Sequence, residues 1–98
     1  MSGAADAAIG TIKRTLAIAN KRGLHARAAA KFVRTVGQFE ATVRVSFKGQ
    51  QVSGLSIMGL MMLAAGIGSS IELSCSGRQA AEAMAALSAL VESKFGED

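Results

Sequence analysis

Strict alternation of apolar and polar side chains constrains this chain more than any other feature. In Ala41-Thr42-Val43-Arg44-Val45-Ser46-Phe47, one side of an extended backbone carries Ala41, Val43, Val45 and Phe47, and the other carries Thr42, Arg44 and Ser46. Arg14-Thr15-Leu16-Ala17-Ile18 and Ile71-Glu72-Leu73-Ser74-Cys75-Ser76 set larger apolar residues against polar or small ones in the same way. Such strands make a sheet with one face covered and one face in water. Two stretches have the period of a covering helix. Ala26 to Val36 places Ala29, Phe32, Val33 and Val36 at i, i+3, i+4 and i+7, with Lys31 and Arg34 turned away. From about Arg78 to Phe95, the residues Ala80, Ala83, Met84, Leu87, Leu90 and Val91 form a second stripe. A shorter helix, capped by Ser56, runs to about Ala64, with Leu60, Leu63 and Ala64 facing the sheet.

Glycine supplies the breaks, for the chain has 11 glycines and no proline. Gly37 fits the left-handed stop of the first helix. Lys48-Gly49 is a turn leading into a short returning strand, Gln50 to Ser53. Ser76-Gly77-Arg78-Gln79 has the spacing of a capping box for the last helix. The order βαββαβα predicts an α+β fold, a two-layer open-faced sandwich. The 98 residues suffice for one core, with residues 1–10 expected as a flexible tail and 11–98 as the domain.

Several classes are excluded. A chain half hydrophobic and only 18% charged is not disordered over most of its length. A single cysteine, Cys75, cannot staple a secreted mini-domain, and its place on an apolar strand face predicts a buried, inert thiol. No apolar run is long enough to cross a membrane, and the N-terminus lacks the pattern of a signal peptide, so the expected location is cytoplasmic. One histidine and one cysteine cannot build a zinc site, and there is no serine nucleophile elbow.

The formal charge of +4 is unevenly placed. Lys13, Arg14, Lys21, Arg22, Arg27, Lys31 and Arg34 all precede residue 38, where Asp6 is the only acid. Such a region attracts an acidic protein surface, a phosphoryl group or a nucleic acid. The only histidine, His25, stands in that region where a loop becomes a helix. Free N–H groups at a helix start disfavour imidazolium, keep a ring nitrogen available as a nucleophile, and can hold phosphoryl oxygens. Arg27 adds a guanidinium fork suited to phosphate. This pairing fits transient phosphorylation better than hydrolysis. The helix after Ser56 is apolar nearly all round, and a two-layer fold buries only one side of it. Met58, Met61 and Met62, with Ile57 at the edge, are therefore expected to face outward as an adaptable docking surface.

Gly23-Leu24-His25-Ala26-Arg27-Ala28-Ala29, followed by Ser56-Ile57-Met58-Gly59-Leu60-Met61, resembles the HPr family, the histidine phosphocarriers of the bacterial phosphoenolpyruvate-dependent phosphotransferase system. The likeness runs from about residue 11 to 95. It implies a four-stranded antiparallel sheet in the order 1-4-2-3 with three helices on one face. It implies a stoichiometric carrier rather than an enzyme, without cofactor, metal or membrane insertion, and a monomer. His25 would accept a phosphoryl group on Nδ1 from enzyme I and pass it to an EIIA-type protein, with Arg27 neutralising phosphoryl charge. Ser56 matches the serine modified by HPr kinase/phosphorylase; Ile57, Met58 and Met61 match the family's docking patch, which Met62 enlarges, and Arg34 its basic rim. Ala28 stands where the family usually has proline, and Leu55, Met62 and Ile67 replace residues that are commonly basic or polar. The run from Leu55 to Leu63 resembles proteobacterial, especially alphaproteobacterial, members, many of which serve a nitrogen-related or regulatory phosphorelay rather than bulk sugar uptake, which implies as the alternative a regulatory interaction module with no sugar-uptake role. Two rivals fit less well. A nucleic-acid-binding module is disfavoured by the absence of Tyr and Trp. A purely regulatory relative without histidine phosphorylation is disfavoured by the presence of both His25 and Arg27.

Overall fold

The strands β1 (Ile12–Ala17), β2 (Thr42–Phe47), β3 (Gln50–Ser53) and β4 (Ser70–Ser76) form one antiparallel sheet in the order β1-β4-β2-β3. The structure is a computed structural model that describes residues 11–97, and the expected tail at 1–10 lies outside the described residues. Register follows from the side-chain alternation. Leu16 pairs with Ile71 and Val45 with Leu73, placing buried residues opposite one another on the covered face. The other face is polar: Lys13 and Arg44 flank Ser74, and Thr15 and Ser46 flank Glu72.

Three helices, α1 (Ala26–Val36), α2 (Ile57–Met62) and α3 (Ala80–Glu92), cover the apolar face. Phe32, Leu60, Leu87 and Phe95 from this layer meet Ile18, Val45, Ile71 and Leu73, all essentially without solvent exposure. Each such side chain contributes about 1.5–3 kcal/mol by leaving water. Cys75 is buried among them, and desolvation pushes its thiol up. Val33 and Leu90 are only partly buried. Ser88 is buried instead, and its Oγ accepts a 2.9 Å hydrogen bond from Arg14 Nη1.

The element ends depart from expectation in four places. Gly37 is right-handed (φ −64°), because Gln38 and Phe39 N–H bond to Thr35 and Val36 carbonyls and carry the turn onward without a reversal of hand. The capping box does not form. Ser76 is the last residue of β4, and the Gln79 side chain accepts from Glu40 N–H at 2.8 Å while Gln79 N–H donates to Glu40 O at 2.9 Å. α2 ends at Met62, and Ala64 turns left-handed (φ 57°), so Ala64 is exposed and Ala65 is buried in its place.

α3 stops at Glu92, and a short 3-10 turn, Lys94–Gly96, reverses the chain. Lys94, Phe95 and Gly96 have φ of 59°, 56° and 74°. Left-handed backbone costs a non-glycine residue about 1–2 kcal/mol. Burial of Phe95 and a 2.6 Å hydrogen bond from Lys31 Nζ to its carbonyl offset that cost.

Candidate functional site

The loop between β1 and α1 is held by Asn20 and Gly23. Gly23 has φ 64°, and a Cβ there would lie 2.3 Å from the Ala65 carbonyl oxygen. Only glycine lets the chain pass so close to the loop leaving α2, where Leu24 N–H donates to that same oxygen at 3.0 Å. One residue later His25 forms the N-cap position of α1, with extended backbone (φ −75°, ψ 178°) and a carbonyl that accepts from Ala29 N–H at 2.8 Å. Its side chain makes no capping bond and is free to serve another purpose.

That side chain points to the segment that follows α3. His25 Nε2 lies 2.5 Å from Glu97 Oε2, with the two side chains 20% and 16% exposed. Glu97 Oε1 accepts from Asn20 Nδ2 at 3.1 Å, and Asn20 Nδ2 also donates to Gly23 O at 2.9 Å. Asn20 is fully buried, and its Oδ1 has no partner among the described residues. The reverse amide orientation would set that oxygen against two acceptors, so the carboxylate and the Gly23 carbonyl fix its direction. Partial desolvation raises the Glu97 carboxyl. Hydrogen bonds from His25 and Asn20 and the charges of His25 and Arg27 outweigh it, and the net displacement is downward.

Beside this contact lies a cleft of about 280 Å³ lined by Lys21, Arg22, Arg27 and Glu97. Three cations against one carboxylate leave it suited to an anion of phosphoryl size. No cluster among the described residues could hold a metal ion, and no described helix is long and apolar enough to cross a membrane.

The second group of expected residues gathers on α2. Ser56 is its N-cap, and Ser56 Oγ accepts from Gly59 N–H at 2.9 Å. Leu60 is buried, while Met58 and Met62 are 70% and 76% exposed and Ile57 and Met61 also face solvent. Leu55 and Ile67 extend the exposed apolar surface at both ends. α2 packs on α1, and the Leu24–Ala65 bond ties its exit loop to the residue before His25. Arg34 is exposed in the last turn of α1, roughly 13 Å along the axis from His25. It does not line the cleft beside the His25–Glu97 contact. Asn20, Lys21, Arg22 and Glu97 were not among the sequence-derived site residues. Asn20-Lys21-Arg22 reads as an ordinary polar loop, and nothing in the spacing of Glu97 announces its return to His25.

The family profile described as "PTS HPr component phosphorylation site" matches residues 12–93. The chain belongs to the HPr family of phosphocarriers. A phosphocarrier protein HPr from Cupriavidus necator is 51% identical over 86 residues, 88% of this chain and 97% of that one. A phosphocarrier protein NPr from Shewanella violacea is 40% identical, covering 88% of this chain and 94% of its own length. Among solved structures, HPr-C-His from Thermoanaerobacter tengcongensis superposes with a TM-score of 0.85 at 44% identity, covering 89% of this chain and 98% of that one. The sheet order and the three-helix layer are those of HPr structures. Ala28, the departure from the family's usual proline, is fully buried in the first turn of α1.

Proposed function

We propose that the chain carries a phosphoryl group within a bacterial phosphotransferase system. His25 accepts it on Nδ1 from phospho-enzyme I and yields it to a histidine of an EIIA-type protein. Arg27 neutralises phosphoryl charge during both transfers. The observation that carries this reading is the placement of His25. Its ring stands at a helix N-terminus without capping it, beside a cleft lined by Lys21, Arg22 and Arg27. The exposed surface of Ile57, Met58, Met61 and Met62 supplies a docking area for both partners, with Arg34 as a basic rim. Ser56, exposed enough to be reached at the edge of that surface, is the regulatory phosphosite on this reading, with an HPr kinase/phosphorylase as its modifier.

Incubation with enzyme I and labelled phosphoenolpyruvate tests the proposal. It requires an acid-labile, base-stable phosphoryl group on the chain, absent from His25→Ala. An unlabelled wild-type chain, or an equally labelled variant, defeats it. The likeness to a relative named NPr supports a second reading, a regulatory module of a nitrogen-related phosphorelay with no role in sugar uptake. The two readings part at the acceptor, so discharge of the phosphorylated chain to one EIIA-type protein and not another separates them.

A further inference from the structure

The left-handed run at Lys94, Phe95 and Gly96 ends on the His25 ring. Strained backbone persists where its surroundings over-determine it, and it gathers where a site needs a particular geometry. Here the surroundings are identified: Phe95 is locked in the core, and Lys31 grips its carbonyl. The outcome is that Glu97, two residues past the last core side chain, comes back to His25 and is held there from its other oxygen by buried Asn20.

The chemistry of that contact assigns the proton. Glu97 is ionised at neutral pH and can only accept hydrogen bonds, so the shared proton belongs to His25 Nε2. In the neutral ring the lone pair then lies on Nδ1. We propose that Glu97 is a positioning residue for His25, its carboxylate fixing the ring with the proton on Nε2 and the nucleophilic lone pair on Nδ1. It also offsets the positive charge the ring gains when Nδ1 takes a phosphoryl group. This rests on the phosphocarrier reading.

In the transfer step, the Nδ1 lone pair forms the new bond to phosphorus. The donor's N–P bond breaks, and its electron pair returns to the donor imidazole. Nε2 keeps its proton throughout. The charge leaving the donor ring, where that ring is protonated on its other nitrogen, arises on the His25 ring beside Glu97. On this reading the phosphoryl oxygens on Nδ1 meet the guanidinium of Arg27, two residues along from His25. Anion and counter-anion thus sit on opposite nitrogens of one ring. A carboxylate that orients and compensates a catalytic imidazole in this way can be worth orders of magnitude when dry. The solvent reaching Glu97 reduces that to an expected loss of about tenfold on its removal.

Glu97→Ala and Glu97→Gln in the full chain provide the test, with two readouts. In the unphosphorylated protein at neutral pH, nitrogen-15 NMR of the ring should show a slowly exchanging proton on Nε2. It should vanish in Glu97→Ala and persist in Glu97→Gln, whose amide oxygen can still accept it. In steady-state phosphorylation by enzyme I with this chain as the varied substrate, both variants should lower kcat, by about tenfold for alanine, with KM moved less than twofold. A merely structural role would change neither the ring proton nor kcat selectively. Unchanged kcat in Glu97→Ala, a loss confined to KM, or an Nε2 proton indifferent to Glu97 would each overturn the inference. Failure of the wild-type chain to be phosphorylated would instead strike the phosphocarrier reading, and the NMR arm, which needs no phosphoryl donor, distinguishes the two.

Discussion

The His25 ring is partly exposed and among the described residues bonds only to Glu97, so its removal costs the core nothing. His25→Ala should therefore abolish phosphoryl acceptance with an unchanged circular dichroism spectrum and a melt lowered only slightly, by loss of the partly exposed Glu97 contact. Arg27 is exposed beside the cleft, and its guanidinium acts where charge on the moving group peaks. Arg27→Ala should slow single-turnover transfer on the order of tenfold to a thousandfold, about 1.4–4 kcal/mol, while calorimetric affinity for enzyme I changes little. Gly23→Ala forces a Cβ onto the Ala65 carbonyl at φ 64° and should lower stability by about 2–4 kcal/mol in urea unfolding. For Glu97 the sign follows from its lowered carboxyl. The contact's contribution is complete above the ordinary glutamate range and is lost only as pH falls through the lower folded value. The carboxyl carbon should thus titrate below the usual value of about 4.3, as side-chain NMR would show. His25 and Arg27 were legible because they share one local motif. Glu97 and Asn20 were not, because a backbone reversal that no periodicity encodes brings them together.

At the scale of elements, Ser56 has two separable duties. Its Oγ caps α2, so Ser56→Ala should cost about 1 kcal/mol. Phosphorylation, or Ser56→Asp as its approximation, places a negative charge at a helix start, which the fold tolerates. The same charge borders Ile57, Met58 and Met61, where docking must desolvate it. Calorimetry should show weaker binding of enzyme I with an unchanged or slightly raised melting temperature. Equal affinity of both forms would refute the docking role of α2, and a large drop in the melt would refute tolerance of charge at the cap. Element identities were readable because alternation and helical period record which side of each segment is buried. Element ends were not, because they answer to tertiary partners. Gln79 spends its amide on Glu40, and Ala64 turns left-handed to deliver Ala65 to the core.

The molecule as a whole depends on its last residues more than a helix-ending tail would lead one to expect. Phe95 lies beyond α3 yet is among the largest fully buried side chains, so Phe95→Ala should cost about 3–5 kcal/mol in chemical denaturation and release the reversal behind it. The sheet order carries a consequence for synthesis. Among the described residues β1 is an edge strand whose only neighbour is β4, with Ile12 opposite Cys75. β1 leaves the ribosome before the other described strands and therefore waits for β4, the last of them. The β2–β3 hairpin can close early, since its pairs are near in sequence, but it gains no central neighbour until β4 emerges. Contacts this distant in sequence impose a large loop-closure entropy before they repay it. A nascent chain stalled before residue 70 should remain protease-sensitive along β1 and bind chaperones through its uncovered apolar side. Release of β4 together with α3 and Phe95, which complete the core, should bring protection to the whole sheet at once, making the birth of this small domain nearly all-or-none in time as well as in equilibrium.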